Sequence, residues 1–395
     1  MIPVDEALSR ALAVVDVLDC ETVPVHECQG RVLAEDVLAR IDSPPFNKAA
    51  MDGYAVRAED VSALPTELQV VGEVFAGEFP DFEIGKGEAA VITTGAPVPP
   101  GADMVVMVEH TEQIGESGVR VKKLSGGNIC KQGKDITAGS TVLRKGTRLD
   151  VLHVGVAAAA GYPQLSVYRR PTTAILCTGT EIVEPGEEVG DGQIYNSNGS
   201  ILRSLLNPVS EKVKYLGTVG DDRERLLNLI QEGLQEDLFI ISGGVSMGQY
   251  DLVPGCLEEA GVKKMFHKCA MKPGKPTWFG CKGDTLVFGM PGNPLSCFVV
   301  FHVLVRPVID RMIGIEESGV EYSTGLVMEG FSNKGKRAHF IPARLEVEGG
   351  EVRLRRLPHH GSADIMGSSS VEALISLPVG CTGVTESQIV RFLPV

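Results

Sequence analysis

The sequence predicts a multi-domain α/β plus β protein built around a mainly parallel, three-layer α/β domain. Length is the first reason: 395 residues exceed one ordinary core of ~100–150, so about two to four domains are expected. The second is an alternation of apolar β runs and helical patterns over residues 171–313, the mark of a parallel sheet with helices on both faces. The third is that short β runs split by Gly and Pro turns occupy the regions on either side.

Residues 4–16 place Val4, Leu8, Ala11, Leu12 and Val15 on one helical face, and this amphipathic helix opens a small N-terminal domain. The proline-paired stretch from Asp42 to Lys48 marks an exit from it near residue 43. Residues 43–138 then read as an inserted, antiparallel β-rich domain, with runs such as Gln69-Val70-Val71 and Met104-Val105-Val106-Met107-Val108. An alanine-rich helix over 151–160 stops at Gly161. Residues 1–42 and 139–170 are therefore expected to be two halves of one discontinuous domain.

The α/β domain follows over 171–313, with a strand at Thr173–Cys177, a helix from Asn198, strands at Val213–Leu216 and Leu238–Ser242, and a helix from Asp222 between them. Residues 314–395 return to short alternating strands, as in Ala343-Arg344-Leu345-Glu346-Val347, and read as a small β-barrel-like domain.

Composition excludes several roles. Lys and Arg number 37 against 51 Asp and Glu, and the net charge of −14 opposes loose binding to nucleic acid or an anionic membrane. Nine scattered cysteines with no C-x-x-C pattern argue for free thiols in a reducing, cytoplasmic setting, and Cys177 and Cys297 sit inside apolar runs as small buried hydrophobes. The longest apolar stretch, Leu295 to Val305, carries His302 and falls short of the ~20 residues that span a bilayer.

In an open parallel sheet ligands bind beyond the carboxyl ends of the strands, so the loops after the apolar runs are where chemistry is expected. Ser242-Gly243-Gly244-Val245-Ser246 offers backbone N–H groups to phosphate oxygens, or is a tight turn alone. Pro291-Gly292-Asn293-Pro294 places Asn293 as N-cap and Pro294 in the first helical turn, either an anion seat or a rigid corner. Carboxylates recur at strand ends and in loops: Glu181, Asp221 and Asp251, with Asp52 and Asp135 in the β domain. Acids gathered in one cleft call for an oxygen-loving cation such as Mg2+. Lys268, Lys272 and Lys275, in one basic run, either reach phosphate or oxyanion oxygens or stand as solvated lysines beside a turn. No nucleophilic Ser–His or Cys–His pattern is found.

Taken in order, Met51-Asp52-Gly53-Tyr54-Ala55, Thr94-Gly95-Ala96-Pro97, Ser242-Gly243-Gly244-Val245-Ser246, Lys272-Pro273-Gly274-Lys275-Pro276 and Pro291-Gly292-Asn293-Pro294 closely resemble the molybdopterin molybdenumtransferases, the family that includes the E domain of gephyrin. The resemblance spans essentially the whole chain. It implies an elongated homodimer with a cleft built from both subunits, working beside other molybdenum cofactor biosynthesis proteins. The implied reaction inserts molybdenum from molybdate into adenylylated molybdopterin, with loss of AMP and a need for Mg2+. By the same resemblance, Asp52, Thr94, Glu181, Asp221 and Asp251 are the catalytic candidates, with Asp52, Glu181, Asp221 and Asp251 at the Mg2+ or molybdate site. Asp135, Lys268, Lys272, Pro291, Pro294 and Ser362 lie in or beside the cleft.

Two positions depart from the family pattern. Cys130 follows Asn128-Ile129 where an arginine is usual, leaving that contact to Lys131 or Lys134 or to nothing. An arginine expected after His339-Phe340 falls at Pro342, and Arg344, two residues on and on the same strand face, is the expected substitute. Two alternatives stay open: a molybdopterin adenylyltransferase-like enzyme, and a molybdopterin-binding scaffold without turnover.

Overall fold

The computed structural model describes residues 1–245, 252–358 and 360–395. The chain divides into two compact units, one of residues 22–165 and one of residues 1–21 with 166–395. Among the described residues no helix is long and apolar enough to cross a membrane.

The unit of residues 22–165 holds a six-stranded sheet in the order Met104–Met107, Gly53–Val56, Glu88–Ile92, Thr66–Val74, Gly118–Val121, Thr111–Ile114. All its pairs are antiparallel except Thr66–Val74 with Glu88–Ile92. Gly53 is needed where it stands, because a Cβ there would collide with the carbonyl of Val106 on the neighbouring strand. That close approach fixes Asp52, whose own carbonyl accepts from Val108 N at 3.1 Å. The helix Val151–Ala159 starts with a reciprocal cap between Asp150 and His153.

The second unit carries a mixed six-stranded sheet in the order Lys212–Val219, Thr172–Thr178, Leu238–Ser242, Thr285–Met290, Trp278–Lys282, Lys263–His267. The first four strands run parallel and the last two are antiparallel additions. Period-two alternation sends successive side chains to two separate cores. Ile175, Cys177, Leu238 and Ile240 enter one; Ala174, Leu176, Phe239 and Ile241 enter the other. Both faces are covered by helices, which gives the three expected layers. Truncating the fully buried Phe239 to alanine should cost about 3–5 kcal/mol.

The helix Val4–Leu12, expected to open a small separate domain, instead packs into the first of these cores through Val4, Ala7 and Ala11. An amphipathic stripe says that a face is covered, but not by which element.

The last strands close a five-stranded barrel. Ser323–Val327 pairs with Ile389–Pro394, which pairs with Ala373–Leu377, then Ala338–Glu348, then Glu351–Arg356, which returns to Ser323–Val327 through a parallel pairing. Val327, Ile341, Leu354, Ile375 and Phe392 belong to its core. A short strand, Met271–Lys272, runs parallel to the start of Ala338–Glu348 and ties the α/β part to the barrel.

Candidate functional site

The register Cys177↔Ser242↔Met290 ends three parallel strands at one level, and Val219 ends the fourth beside them. Their following loops therefore converge on one edge, as the rule for open α/β sheets requires. They enclose a cleft of about 500 Å³ lined by Thr178, Thr180, Glu181, Asp221, Ser242 and the run Pro291 to Pro294, among others. Gly243 and Gly244 turn the loop with φ of 93° and 63°. A Cβ on Gly243 would lie 2.5 Å from Thr178 O, so this glycine answers to the neighbouring strand. Gly292 differs: the nearest atom to a Cβ there is Gly243 Cα at 3.8 Å.

Two residues that sequence reasoning missed hold these loops. Asn198 Nδ2 donates to Ser242 Oγ and to Gly292 O, both at 2.8 Å. Asn196 caps the helix Ser197–Leu206 by accepting from Gly199 N at 2.8 Å, two residues before the expected start of that helix at Asn198. The same Asn196 donates to Glu184 Oε1 at 2.9 Å and to Tyr215 Oη at 2.7 Å. Glu184 also accepts from Tyr215 and from Thr218. Burial pushes the Glu184 carboxyl up, but the hydrogen bonds from Tyr215, Thr218 and Asn196 outweigh it and hold the group below the usual range. Burial, with the bond to Glu184, raises the Tyr215 phenol. The polar triplet Asn196-Ser197-Asn198 before an apolar helix was the available clue.

Cys177 borders this cleft but is 3% exposed, and burial pushes its thiol up to about 11. Cys297 is fully buried and raised as well, so neither is a thiolate nucleophile.

A second cleft, of about 740 Å³, lies between the α/β part and the barrel. Lys272, Lys275, Lys334, Arg337 and Arg356 line it together with His339, and no carboxylate does so among the described residues. The two clefts share Pro276, Pro291, Gly292 and Asn293 as a common wall. Burial, then the charges of Arg337, Lys334 and Arg356, lower the Lys272 ammonium below the usual lysine range. Asn333 orders one side: its Oδ1 accepts from Lys334 N and meets His339 Nδ1, both at 2.9 Å. Asn293 holds the N-cap position before Pro294, but its side chain does not cap. It donates instead to Ser362 Oγ at 2.7 Å, and Ser362 O accepts from Leu295 N at 3.1 Å, satisfying one of the helix's orphan donors.

The structure thus gathers Glu181, Asp221, Ser242, Gly243 and Gly244 in the first cleft, Lys272, Lys275 and Ser362 in the second, and Pro291, Gly292 and Asn293 in both, with Pro294 in the first. Lys268 lines neither cleft; its backbone is fixed by Thr277 O and Ile2 N at a φ of 73°. Arg344 lines neither cleft and is exposed, 3.9 Å from Glu372. It does share a strand face with Pro342, but that face looks away from the cleft, so strand parity misled the expectation. Ser246 and Asp251 lie outside the described residues.

Asp52, Thr94, Cys130 and Asp135 belong to the other unit. There Asp52 Oδ1 accepts from Thr94 N at 2.6 Å and from Thr94 Oγ1 at 2.7 Å, and these bonds hold its carboxyl below the usual range. Cys130 pairs with Lys48 in a two-residue strand, and Asp135 is exposed with its N–H on Ser43 O. Of the four acids expected at a metal, Glu181 and Asp221 line the first cleft, Asp52 belongs to the other unit and Asp251 lies outside the described residues; among the described residues no group of three or more His, Cys, Asp or Glu could hold a metal.

Comparison with known proteins agrees with this architecture. Residues 2–161 match the MoeA N-terminal region (domain I and II), residues 174–311 a probable molybdopterin binding domain, and residues 324–395 the MoeA C-terminal region (domain IV). A molybdopterin molybdenumtransferase of Bacillus subtilis (strain 168) is 32% identical, with 99% of this chain and 94% of the relative covered. One from Staphylococcus aureus (strain MRSA252) is 30% identical over 97% of this chain and 93% of its own. The crystal structure of a molybdopterin biosynthesis MoeA protein from Pyrococcus horikosii superposes with a TM-score of 0.84 at 34% identity, covering 100% of this chain and 99% of that one. With its relatives matching from end to end, the chain belongs to the molybdopterin molybdenumtransferase family.

Proposed function

We propose that this chain transfers molybdenum from molybdate to adenylylated molybdopterin with release of AMP. The observation that carries this reading is the meeting of two clefts of opposite character across one wall of Pro276, Pro291, Gly292 and Asn293. Joining a dianionic oxyanion to a phosphorylated organic carrier needs a basic seat for the one and orienting oxygen ligands for the other. The basic cleft is the seat for molybdate, and its cations offset the charge that the acidic chain as a whole would repel. The cleft of Glu181, Asp221 and Ser242 takes the adenylylated, phosphate-bearing side of the carrier.

Mg2+ fits that second role in kind. It usually takes one or two carboxylates and completes its shell with water and substrate phosphate oxygens, so Glu181 and Asp221 suffice without a protein cage. When bound, it would neutralise phosphate charge at the leaving AMP. Asp52, kept ionised by Thr94, and Asp251 complete the proposed set of acids that orient the reacting groups.

The same reading carries a homodimer, exchange with other molybdenum cofactor biosynthesis proteins and a cytoplasmic setting. The helix Val151–Ala159 leaves Val151, Leu152 and Val156 exposed, an apolar face of the kind a second subunit covers. All nine cysteines are free, which suits a reducing compartment. Purified protein given adenylylated molybdopterin, molybdate and Mg2+ should release AMP. A folded, dimeric preparation that releases none overturns the proposal.

A further inference from the structure

We propose that Glu184 is a positioning residue for the first cleft: it ties the loop that carries Glu181 to the edge strand of the α/β sheet. The role rests on the reading of this cleft as the seat of the carrier's adenylylated side.

The loop has little of its own to hold it. It leaves the strand Thr172–Thr178 at Gly179 and returns to the helix Ser197–Leu206, and its ladder is two residues a side, Ile182 with Ile194 and Val183 with Tyr195. Glu181 O accepts from Ile194 N, and Val183 O from Asn196 N, both at 2.8 Å. Glu181, Ile194 and Tyr195 are exposed and line the cleft, so apolar burial contributes little, and a ladder this short is marginal alone. The Glu181 carboxylate folds back over Gly179, where a Cβ would lie 2.6 Å from Glu181 Oε2. The aim of Glu181 therefore follows the seating of the ladder.

Glu184 seats it. Its Oε1 accepts from Asn196 Nδ2 at 2.9 Å, from Thr218 Oγ1 at 2.7 Å and from Tyr215 Oη. Asn196 stands on the loop's returning arm, whereas both hydroxyls stand on the edge strand Lys212–Val219. Tyr215 and Thr218 are three residues apart, and a regular strand would turn them to opposite faces. The pairing with Thr172–Thr178 slips between Ile175↔Tyr215 and Cys177↔Thr218, leaving one extra residue on the edge strand, with Gly217 at a φ of 85°. Such a bulge re-aims side chains, and here it brings both hydroxyls onto one carboxylate oxygen. The protons are all assigned: each hydroxyl gives its own to Glu184, and Tyr215 Oη takes one from Asn196 Nδ2 at 2.7 Å. Asn196 Oδ1 is committed to Gly199 N. Position 184 thus calls for an acceptor, and an ionised carboxylate makes the strongest such bonds.

The test measures AMP release from adenylylated molybdopterin, with molybdate and Mg2+, by wild type, Glu184→Ala, Glu184→Gln, Glu181→Gln and the double variant Glu181→Gln with Glu184→Ala. Amide hydrogen exchange at Ile194 and Asn196 is followed in each unliganded protein, and thermal unfolding checks that each is folded. Glu184→Ala should lower kcat/KM about 10-fold, the effect of losing hydrogen bonds to a charged group. Exchange at both amides should speed up about 10-fold, because the ladder opens more often. Glu184→Gln keeps an acceptor oxygen and should stay within about threefold of wild type in both measurements. In the Glu181→Gln background, Glu184→Ala should cost less than about twofold more, since a residue acting through Glu181 has nothing left to place. A merely structural loss would instead multiply. If Glu184→Ala does not fold, Thr218→Val, which removes one donor, should show the same non-additivity at about threefold. Wild-type exchange in folded Glu184→Ala, losses that multiply in the double variant, or a glutamine as poor as alanine overturn the positioning role and leave the proposed reaction intact. A wild type that releases no AMP overturns the reaction, and the exchange rates then decide the tether by themselves.

Discussion

Asn198 gives its two amide protons to Ser242 Oγ and to the carbonyl of Gly292, both at 2.8 Å, so one side chain fastens the glycine loop to the wall shared by the two clefts. Asn198→Ala should lower stability by about 1–3 kcal/mol, because it strands buried acceptors. Asn198→Asp should be worse, since a carboxylate would face the Gly292 carbonyl. Urea unfolding reads the stability, and a rise in KM for the pterin substrate reads the loosened wall. An aspartate variant as stable as wild type would refute the tethering role.

Gly243 and Gly292 should separate packing from ligand access. Gly243→Ala forces a Cβ to 2.5 Å from Thr178 O at a φ of 93°, a strain of about 1–3 kcal/mol. Gly292→Ala meets only Gly243 Cα at 3.8 Å, so stability should stay within about 0.5 kcal/mol while AMP release falls. Equal loss of stability in the two variants would contradict this.

Thr94→Val should raise the Asp52 carboxyl pKa, because it removes the Oγ1 bond and keeps only the N–H. The folded value lies below the ordinary 3.8, so the charged state is favoured above that value and its benefit is lost as pH falls through the folded pKa. The carboxyl 13C resonance of Asp52, titrated in both proteins, should move to higher pH in the variant. An unmoved midpoint means the threonine hydroxyl is not what holds the acid ionised.

Tyr215→Phe removes a donor from Glu184 and should destabilise the protein by about 1 kcal/mol at pH 7. Glu184 is depressed below its ordinary 4.5, so its contribution is present above that pH and fades as pH falls through the folded value. The gap between variant and wild type in denaturant midpoint should therefore narrow in acid. A gap that stays constant with pH would place the tyrosine's effect elsewhere.

Lys272→Met should leave the unliganded protein as stable or slightly more so, because it removes one of several crowded cations. The depressed lysine pKa means the charged form is disfavoured in the fold, a penalty present at neutral pH and relieved as pH rises through the folded value. Added molybdate should raise the Tm of wild type and not of the variant. A Tm shift of equal size in both would remove Lys272 from the site.

The sequence made the layers legible because strand and helix periods differ, and residues such as Ala174 to Cys177 sort to opposite faces by parity alone. The strand-end loops were legible for the same reason: Glu181, Asp221, Ser242 and Asn293 all follow apolar runs. What stayed hidden depends on pairing across long separations. Arg356 lines the cleft where it stands opposite Ala343, and Arg344, one residue on and opposite Arg355, has the other parity and lines neither cleft. The helix Val4–Leu12 displays its stripe plainly, yet its partner surface is assembled from residues after 171.

The barrel closes through Ser323–Val327 lying against both Glu351–Arg356 and the final strand Ile389–Pro394. A chain emerging from the ribosome therefore completes its α/β layers well before the ring that aims Arg356 can shut. A prematurely stopped chain would keep the strand-end loops that carry Glu181 and Asp221 but lack the closed barrel that sets Arg337 and Arg356 at the second cleft.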